Sequence, residues 1–311
     1  MDQASEPTHL SQLEQRLRSG AFAITAEITP PLSCNPDDVM QKALPLRGRA
    51  DAVNVTDGAG ARPHMSATAA AFFLMQAGIE PILQFTCRDR NRIALQSGLL
   101  GAAAVGIRNV LLLGGDDPSA GDQPETKAVF DLDSRRLIET ARIMRDRREL
   151  PNGRQIAGEP AFFIGAADMP IDPPADWRPD NLKAKIAAGA QFVQTQFCMD
   201  AGIVRRYAAR LHDEGLTRQI HLLIGLAPLR SARSARWMRH HLFGTIIADA
   251  LIARMEQAAD PAAEGRRICV ELLEEFAEIP GVAGAHIMAP GNDAAVPDVI
   301  TAIKKGRTGK P

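Results

Sequence analysis

Asn109 to Asp116 reads NVLLLGGD, and this stretch decides the fold. An apolar run that stops abruptly at two glycines and a carboxylate describes a strand covered on both faces, as in parallel sheets flanked by crossover helices. Working outward toward the N-terminus, the same pattern recurs at Ile82 to Cys87 (ILQFTC), Asp51 to Asp57 (DAVNVTD) and Ala23 to Thr29 (AITAEIT). Toward the C-terminus it recurs at Ala161 to Ala167 (AFFIGAA), Phe192 to Phe197 (FVQTQF), Ile220 to Pro228 (IHLLIGLAP) and Ala283 to Pro290 (AGAHIMAP). Eight such units predict an α/β protein of the (β/α)8 TIM-barrel type. Chemistry in that architecture gathers at the carboxyl ends of the strands, so Glu27, Thr56, Asp57, Thr86, Asp116 and Gln196 become candidates to share one cavity.

The intervening segments read as helices. Pro36 to Leu44 follows Asn35, a candidate N-cap; Ser66 to Ala77 stops at Gly78; Asp89 to Val105 stops at Gly106; Ser134 to Arg148 ends in a basic turn. Residues 168–179 carry Pro170, Pro173, Pro174 and Pro179 and predict a long loop on the active face. Asp180 to Ala188 and Asp200 to Glu214 predict helices ending at Gly189 and Gly215. Ser234 to Ile279 is too long for one crossover and is expected to break near Gly244 and at Asp260-Pro261. With no repeat or linker, the chain reads as a single domain over 1–311. A barrel over about 21–303 follows an N-terminal helix within 1–20, at Leu10 to Leu17, and precedes a frayed basic tail from 304 to 311.

Composition narrows the function classes. The 311 residues carry a formal net charge of -1 and 5% aromatics, which argues against a nucleic-acid surface. No run approaches a membrane span and the first residues lack the apolar core of a signal peptide, so a cytoplasmic location is expected. Cys34, Cys87, Cys198 and Cys269 fit no paired metal-ligand spacing; thiols and no metal site are expected.

At the strand exits, Glu27 precedes Thr29-Pro30-Pro31. A carboxyl held in an apolar barrel mouth keeps its proton nearer neutral pH and can serve as a general acid; a salt bridge or loop anchor is the alternative. Asp116 follows Gly114-Gly115, two glycines that let a flat ligand approach the backbone, and its alternative role is a helix N-cap. Gln194 and Gln196 share one face by strand alternation, where a heterocycle or a neighbouring side chain would satisfy their amides. Gly114-Gly115 opens no dinucleotide-type glycine turn. His240-His241 read as surface residues, Arg230, Arg233 and Arg236 as a solvated helix face, and His286 and Met288 as core or barrel lining.

Together these segments resemble the methylenetetrahydrofolate reductase family. The carriers are AEITPP from Ala26, VNVTD from Val53, QFTC from Gln84, GGD from Gly114, AGAQFVQTQF from Ala188 and GVAGAHIMAPGN from Gly281, in order along nearly the whole domain. RDRNRIALQS from Arg88, GDQPETKAVFDLDS from Gly121 and APLRSARSARWM from Ala227 resemble the branch that includes the catalytic subunit of acetogenic bacteria, some members of which work with an electron-delivering subunit.

The resemblance implies NAD(P)H-dependent reduction of 5,10-methylenetetrahydrofolate to 5-methyltetrahydrofolate, or its reverse, through a flavin, within one-carbon metabolism and methionine biosynthesis. It places the acid that protonates folate N10 on Glu27 and a pterin contact beside the flavin on Asp116. Gln196 and Met238 fall at folate-binding positions, and Thr56, Gln84, Gly115, Asp116, Ala166 and Lys185 at cofactor-binding ones. FAD is the implied flavin, with FMN or no flavin as alternatives, and NADH or NADPH is the co-substrate. A homo-oligomer or a partner subunit is compatible with the resemblance; nucleic acid and membrane are not expected. The chain departs from the better-known branch where a flavin-contacting histidine and arginine are replaced by Gln84 and Gly114. Asp168 stands near a missing tyrosine, and Met238 in place of an aromatic. Losing a charged contact to a phosphate-bearing cofactor costs roughly 1.5 to 3 kcal/mol, so a weaker flavin site is expected. The competing readings are direct hydride transfer without flavin, a folate-binding methyltransferase, and a catalytically silent partner-binding subunit.

Overall fold

The computed structural model describes residues 10–308. All eight apolar runs form parallel strands: β1 (Ala23–Ile28), β2 (Ala52–Val55), β3 (Pro81–Thr86), β4 (Asn109–Leu113), β5 (Phe163–Asp168), β6 (Phe192–Met199), β7 (His221–Leu226) and β9 (Val282–Ile287). A two-residue strand, β8 (Ile246–Ile247), is added against Cys198 and Met199 at the end of β6. Pairing runs β5-β4-β3-β2-β1-β9-β7-β6, and β6 returns to β5 from Gly165↔Phe192 to Asp168↔Thr195, which closes a (β/α)8 barrel.

Helices α2 (Pro36–Ala43), α3 (Ala67–Gln76), α4 (Arg92–Ala104), α5 (Ser134–Arg147), α6 (Asp180–Ala188) and α7 (Ala201–Asp213) connect successive strands. The long segment after β7 divides as expected, into α8 (Ala232–His241), α9 (Asp249–Gln257) and α10 (Pro261–Ala277). Asn35 caps α2 by accepting from the Asp37 amide. α4 starts at Arg92 rather than Asp89, because Asn91 accepts from the Ala94 amide and frees Arg88 to Arg90 as a loop. The expected tail is helical further than its basic composition suggests: α11 (Val296–Thr308) packs Val299, Ile300 and Ile303 into the core, and residues 309–311 lie outside the described residues.

Strand alternation divides the apolar core in two. Outward residues such as Val53, Val55, Val110, Leu112, Ile164 and Ala166 join the layer beneath the helices. Inward ones, Ala23, Ala52, Ile82, Leu111, Phe163, Phe192 and Leu223, fill the amino end of the barrel. Gly165 makes room there: a Cβ on it would lie 2.3 Å from the Phe192 ring, which stacks on Phe163 at 4.9 Å.

The barrel's amino end is closed by α1 (Gln12–Arg18), whose Leu13 and Leu17 join the inner cluster. The amides of Gln12 and Leu13 donate to the Glu80 carboxylate at 2.7 and 2.8 Å, so an anion meets the unsatisfied first-turn N–H groups. Among the described residues no helix is long and apolar enough to cross a membrane, and all four cysteines are free.

Candidate active site

Above the apolar layer the barrel interior turns polar. Asn54 and Gln194 exchange amide hydrogen bonds of 2.6 and 3.0 Å across the lumen. Gln194 Nε2 also reaches the Thr25 hydroxyl at 3.0 Å and His286 Nδ1 at 3.3 Å. Gln194 is therefore consumed inside the barrel, as the neighbouring-side-chain reading requires. His286 Nδ1 also lies 3.0 Å from the Thr25 hydroxyl. Its Nε2 faces Glu27 Oε2 at 3.6 Å.

Glu27 stands at the exit of β1, one layer above this network, and accepts from Gln84 Nε2 at 2.9 Å. Both line a cavity of about 460 Å³ at the carboxyl ends of the strands, a size suited to a small heterocyclic ligand. Thr56, Gly115, Asp116, Lys185 and Gln196 line it too. Asp116 Oδ2 accepts from the Gly60 amide at 2.8 Å and so holds the loop after β2 over the cavity. The helix-cap role falls to its neighbour Asp117, which accepts from the Ser119 amide. Gln196 is anchored at both ends of its amide, donating to the Phe243 carbonyl at 3.2 Å and accepting from the Phe197 amide at 3.0 Å.

Two expected members of the cavity are used elsewhere. Asp57 accepts from the Thr86 amide and hydroxyl, both at 2.9 Å, and takes a two-pronged ion pair from Arg90. Asp57 and Thr86 are thereby tied to each other. Ala166 faces the helix layer, and its neighbour Ala167 lines the cavity instead, a parity that Phe163 and Gly165 share. Met238 lines a separate cavity of about 130 Å³ with Trp237, Pro228 and Asn292. His240 and His241 are exposed on α8, each with Nδ1 turned to a carbonyl of its own helix.

The β5 exit carries an arrangement with no sequence signal. Tyr207, the only tyrosine of the chain, reaches from α7 and donates its hydroxyl to Asp168. Burial pushes the Asp168 carboxyl above its usual range, against the Tyr207 hydrogen bond and the Lys185 charge. Lys185 donates to the Ala167 carbonyl at 2.7 Å; burial lowers its pKa, with Asp168 opposing. The Tyr207 phenol is raised well above its ordinary value, by burial first and by Asp168 next.

The residues fit a flat cofactor in two respects. A Cβ on Gly114 would meet nothing within 4 Å, which leaves the backbone open to an approaching ring. The Thr56 hydroxyl, on a residue 4% exposed, has no protein partner and lines the same cavity.

Comparison with known proteins decides the family. The family model for methylenetetrahydrofolate reductase matches residues 12–304. The chain belongs to the methylenetetrahydrofolate reductase family. A probable methylenetetrahydrofolate reductase (NADPH) of Caenorhabditis elegans is 30% identical over 175 residues, 55% of this chain and 24% of that protein. Methylenetetrahydrofolate reductase 2 of Schizosaccharomyces pombe is 24% identical over 222 residues, 70% of this chain and 34% of that one. The chain thus spans about a quarter to a third of the curated relatives it matches. Among solved structures, a protein from Clostridium thermocellum that binds two copies of 5-methyl-5,6,7,8-tetrahydrofolic acid superposes with a TM-score of 0.62, at 14% identity over 94% of this chain and 99% of that one. DmoA from Hyphomicrobium sulfonivorans gives 0.54, at 12% identity over 91% and 88%. At these identities the structural likeness shows the barrel fold alone.

Proposed function

We propose that the cavity reduces 5,10-methylenetetrahydrofolate to 5-methyltetrahydrofolate, or runs the reverse, with NADH or NADPH as co-substrate. The observation that carries this reading is the Glu27 carboxylate on the cavity wall, held from one side by Gln84 and faced from another by His286. In a family defined by folate reduction, a carboxyl so placed is suited to give a proton to N10 of the bridged folate. Loss of that C–N bond opens the five-membered ring and leaves an electrophilic iminium carbon to take hydride. Asp116 and Gln196 would bind the pterin, and Thr56, Gly115 and Lys185 the flavin. A bound flavin would supply two-electron transfer between nicotinamide and folate. The loop tied down by Asp116 would limit water at the reacting carbon. A cytoplasmic setting accords with this chemistry.

The test is nicotinamide oxidation that depends on methylenetetrahydrofolate, measured with and without added FAD or FMN. Activity that rises and saturates with one flavin supports the full reading. Full activity in rigorously flavin-free protein replaces it with direct hydride transfer, a reading favoured by Gln84 and Gly114 at positions where charged flavin contacts are expected. No folate-dependent oxidation under either condition would leave the folate-binding methyltransferase or the silent subunit.

A further inference from the structure

The turn from Gly58 to Ala61 lines the candidate active site through Ala59 and, through Gly58 and Ala61, a second cavity of about 290 Å³. Two buried nitrogens on residues lining this cavity have no protein partner. One is Nη1 of Arg88, a residue 4% exposed; the other is Nδ1 of His64. They come from different loops, after β3 and after β2.

The carboxylates in the cavity wall are already engaged. Asp89 takes Nε and Nη2 of Arg88, both at 2.7 Å, and Asp57 takes the fork of Arg90 together with Thr86. Arg88 therefore spends one edge of its guanidinium on Asp89 and keeps Nη1 unpaired. A guanidinium cannot shed its charge by losing a proton, so that nitrogen needs an acceptor. His64 Nε2 faces the Ala59 carbonyl at 3.3 Å, and a carbonyl only accepts, so Nε2 carries a proton. In the neutral ring with that proton, Nδ1 presents its lone pair to the cavity as an acceptor. Arg62, Ser66 and Thr126 complete a donor-rich lining, and the Ser66 side chain makes no capping bond to α3.

A ligand that satisfies both nitrogens must offer acceptor oxygens and negative charge to Arg88 and a hydroxyl to His64 Nδ1, as a hydrogen phosphate does, and be compact enough to meet groups from two loops. A cation is refused by Arg88. We propose that this cavity is a phosphate subsite held by Arg88 and His64, taking either free inorganic phosphate or the phosphate of a nucleotide whose remainder extends past the Gly58 to Ala61 turn. The site does not depend on which hydride route the neighbouring cavity uses.

The test follows the histidine ring resonances of the full chain by NMR at constant ionic strength, with the His64 signal assigned through His64→Gln. Titration with inorganic phosphate should shift that signal saturably, and Arg88→Gln should weaken binding roughly tenfold, the scale of one charged hydrogen bond. If Arg88→Gln does not fold, His64→Gln is compared with the parent by calorimetric titration of phosphate, and weaker binding is expected. No saturable shift at His64, or binding unchanged in the variant, overturns the subsite. Competition separates the two sources: displacement of phosphate by FMN but not riboflavin, or by NADPH but not NADH, assigns the phosphate to a nucleotide. Absence of displacement by any of them assigns it to the free ion. Both outcomes uphold the site.

Discussion

Gln84 on β3 donates to Glu27 on β1 at 2.9 Å, reaching past the strand that lies between them. The glutamine that stands where a flavin-contacting histidine is expected thus serves the candidate acid instead. Glu27→Gln should abolish folate reduction while nicotinamide still reduces any bound flavin, since that half-reaction needs no proton on N10. Gln84→Leu removes a hydrogen bond to a charged group, worth roughly 1.5 to 3 kcal/mol, and should lower kcat by about tenfold or more. Steady-state and half-reaction kinetics of both variants check this; folate turnover retained in Glu27→Gln would remove Glu27 from the chemistry.

Asp116 combines a charge with a loop tie through the Gly60 amide. Asp116→Asn keeps an oxygen that can accept from Gly60 and deletes only the charge, so the loop should hold while folate use weakens by roughly 1 to 3 kcal/mol. Asp116→Ala releases the loop as well and should lose more. Equal folate kcat/KM in the parent and Asp116→Asn would mean that the residue serves the loop alone.

Asp168 makes stability depend on pH. Its folded pKa lies above the ordinary 3.8, by burial, so the folded state binds more protons than the unfolded one between those values. Its stabilising contribution is full below the ordinary value and is lost as pH rises through the folded one. Asp168→Asn has no such titration and can still accept from Tyr207. The stability of the variant relative to the parent should therefore increase with pH across that window and then level off. Urea midpoints of the two proteins from about pH 4 to neutrality measure it; a difference independent of pH would show that the carboxyl has the same pKa in the folded and unfolded states.

The barrel was legible because each strand is buried on both faces, which leaves short apolar runs that recur eight times and stop at polar, proline or glycine residues. Helix ends were legible where a cap was, as at Asn35, and slipped by three residues where Asn91 outcompeted Asp89. The shared cavity was legible at Glu27, Asp116 and Gln196, which sit at or just past strand ends and line it together. Partner choice was not: Asp57 is drawn to Arg90, thirty-three positions along the chain, and no local pattern announces that. Ala167 could have been found from strand parity alone, because Phe163 and Gly165 fix which side of β5 faces inward. Met238 and Tyr207 depend on how α8 and α7 dock, which is decided by packing far from their own sequence.

The plug helix α1 has a further meaning for the order in which the molecule is made. Ribosomes deliver α1 before β3 and β4: Glu80, which receives its first amides, follows Gln12 by 68 positions, and Asn109, which bonds Ser11, follows that serine by 98. Leu13 and Leu17 emerge well before the strands that cover them. Until β3 and β4 have been synthesised, this segment lacks both its apolar cover and its anion, and it is a late piece to settle into the finished barrel.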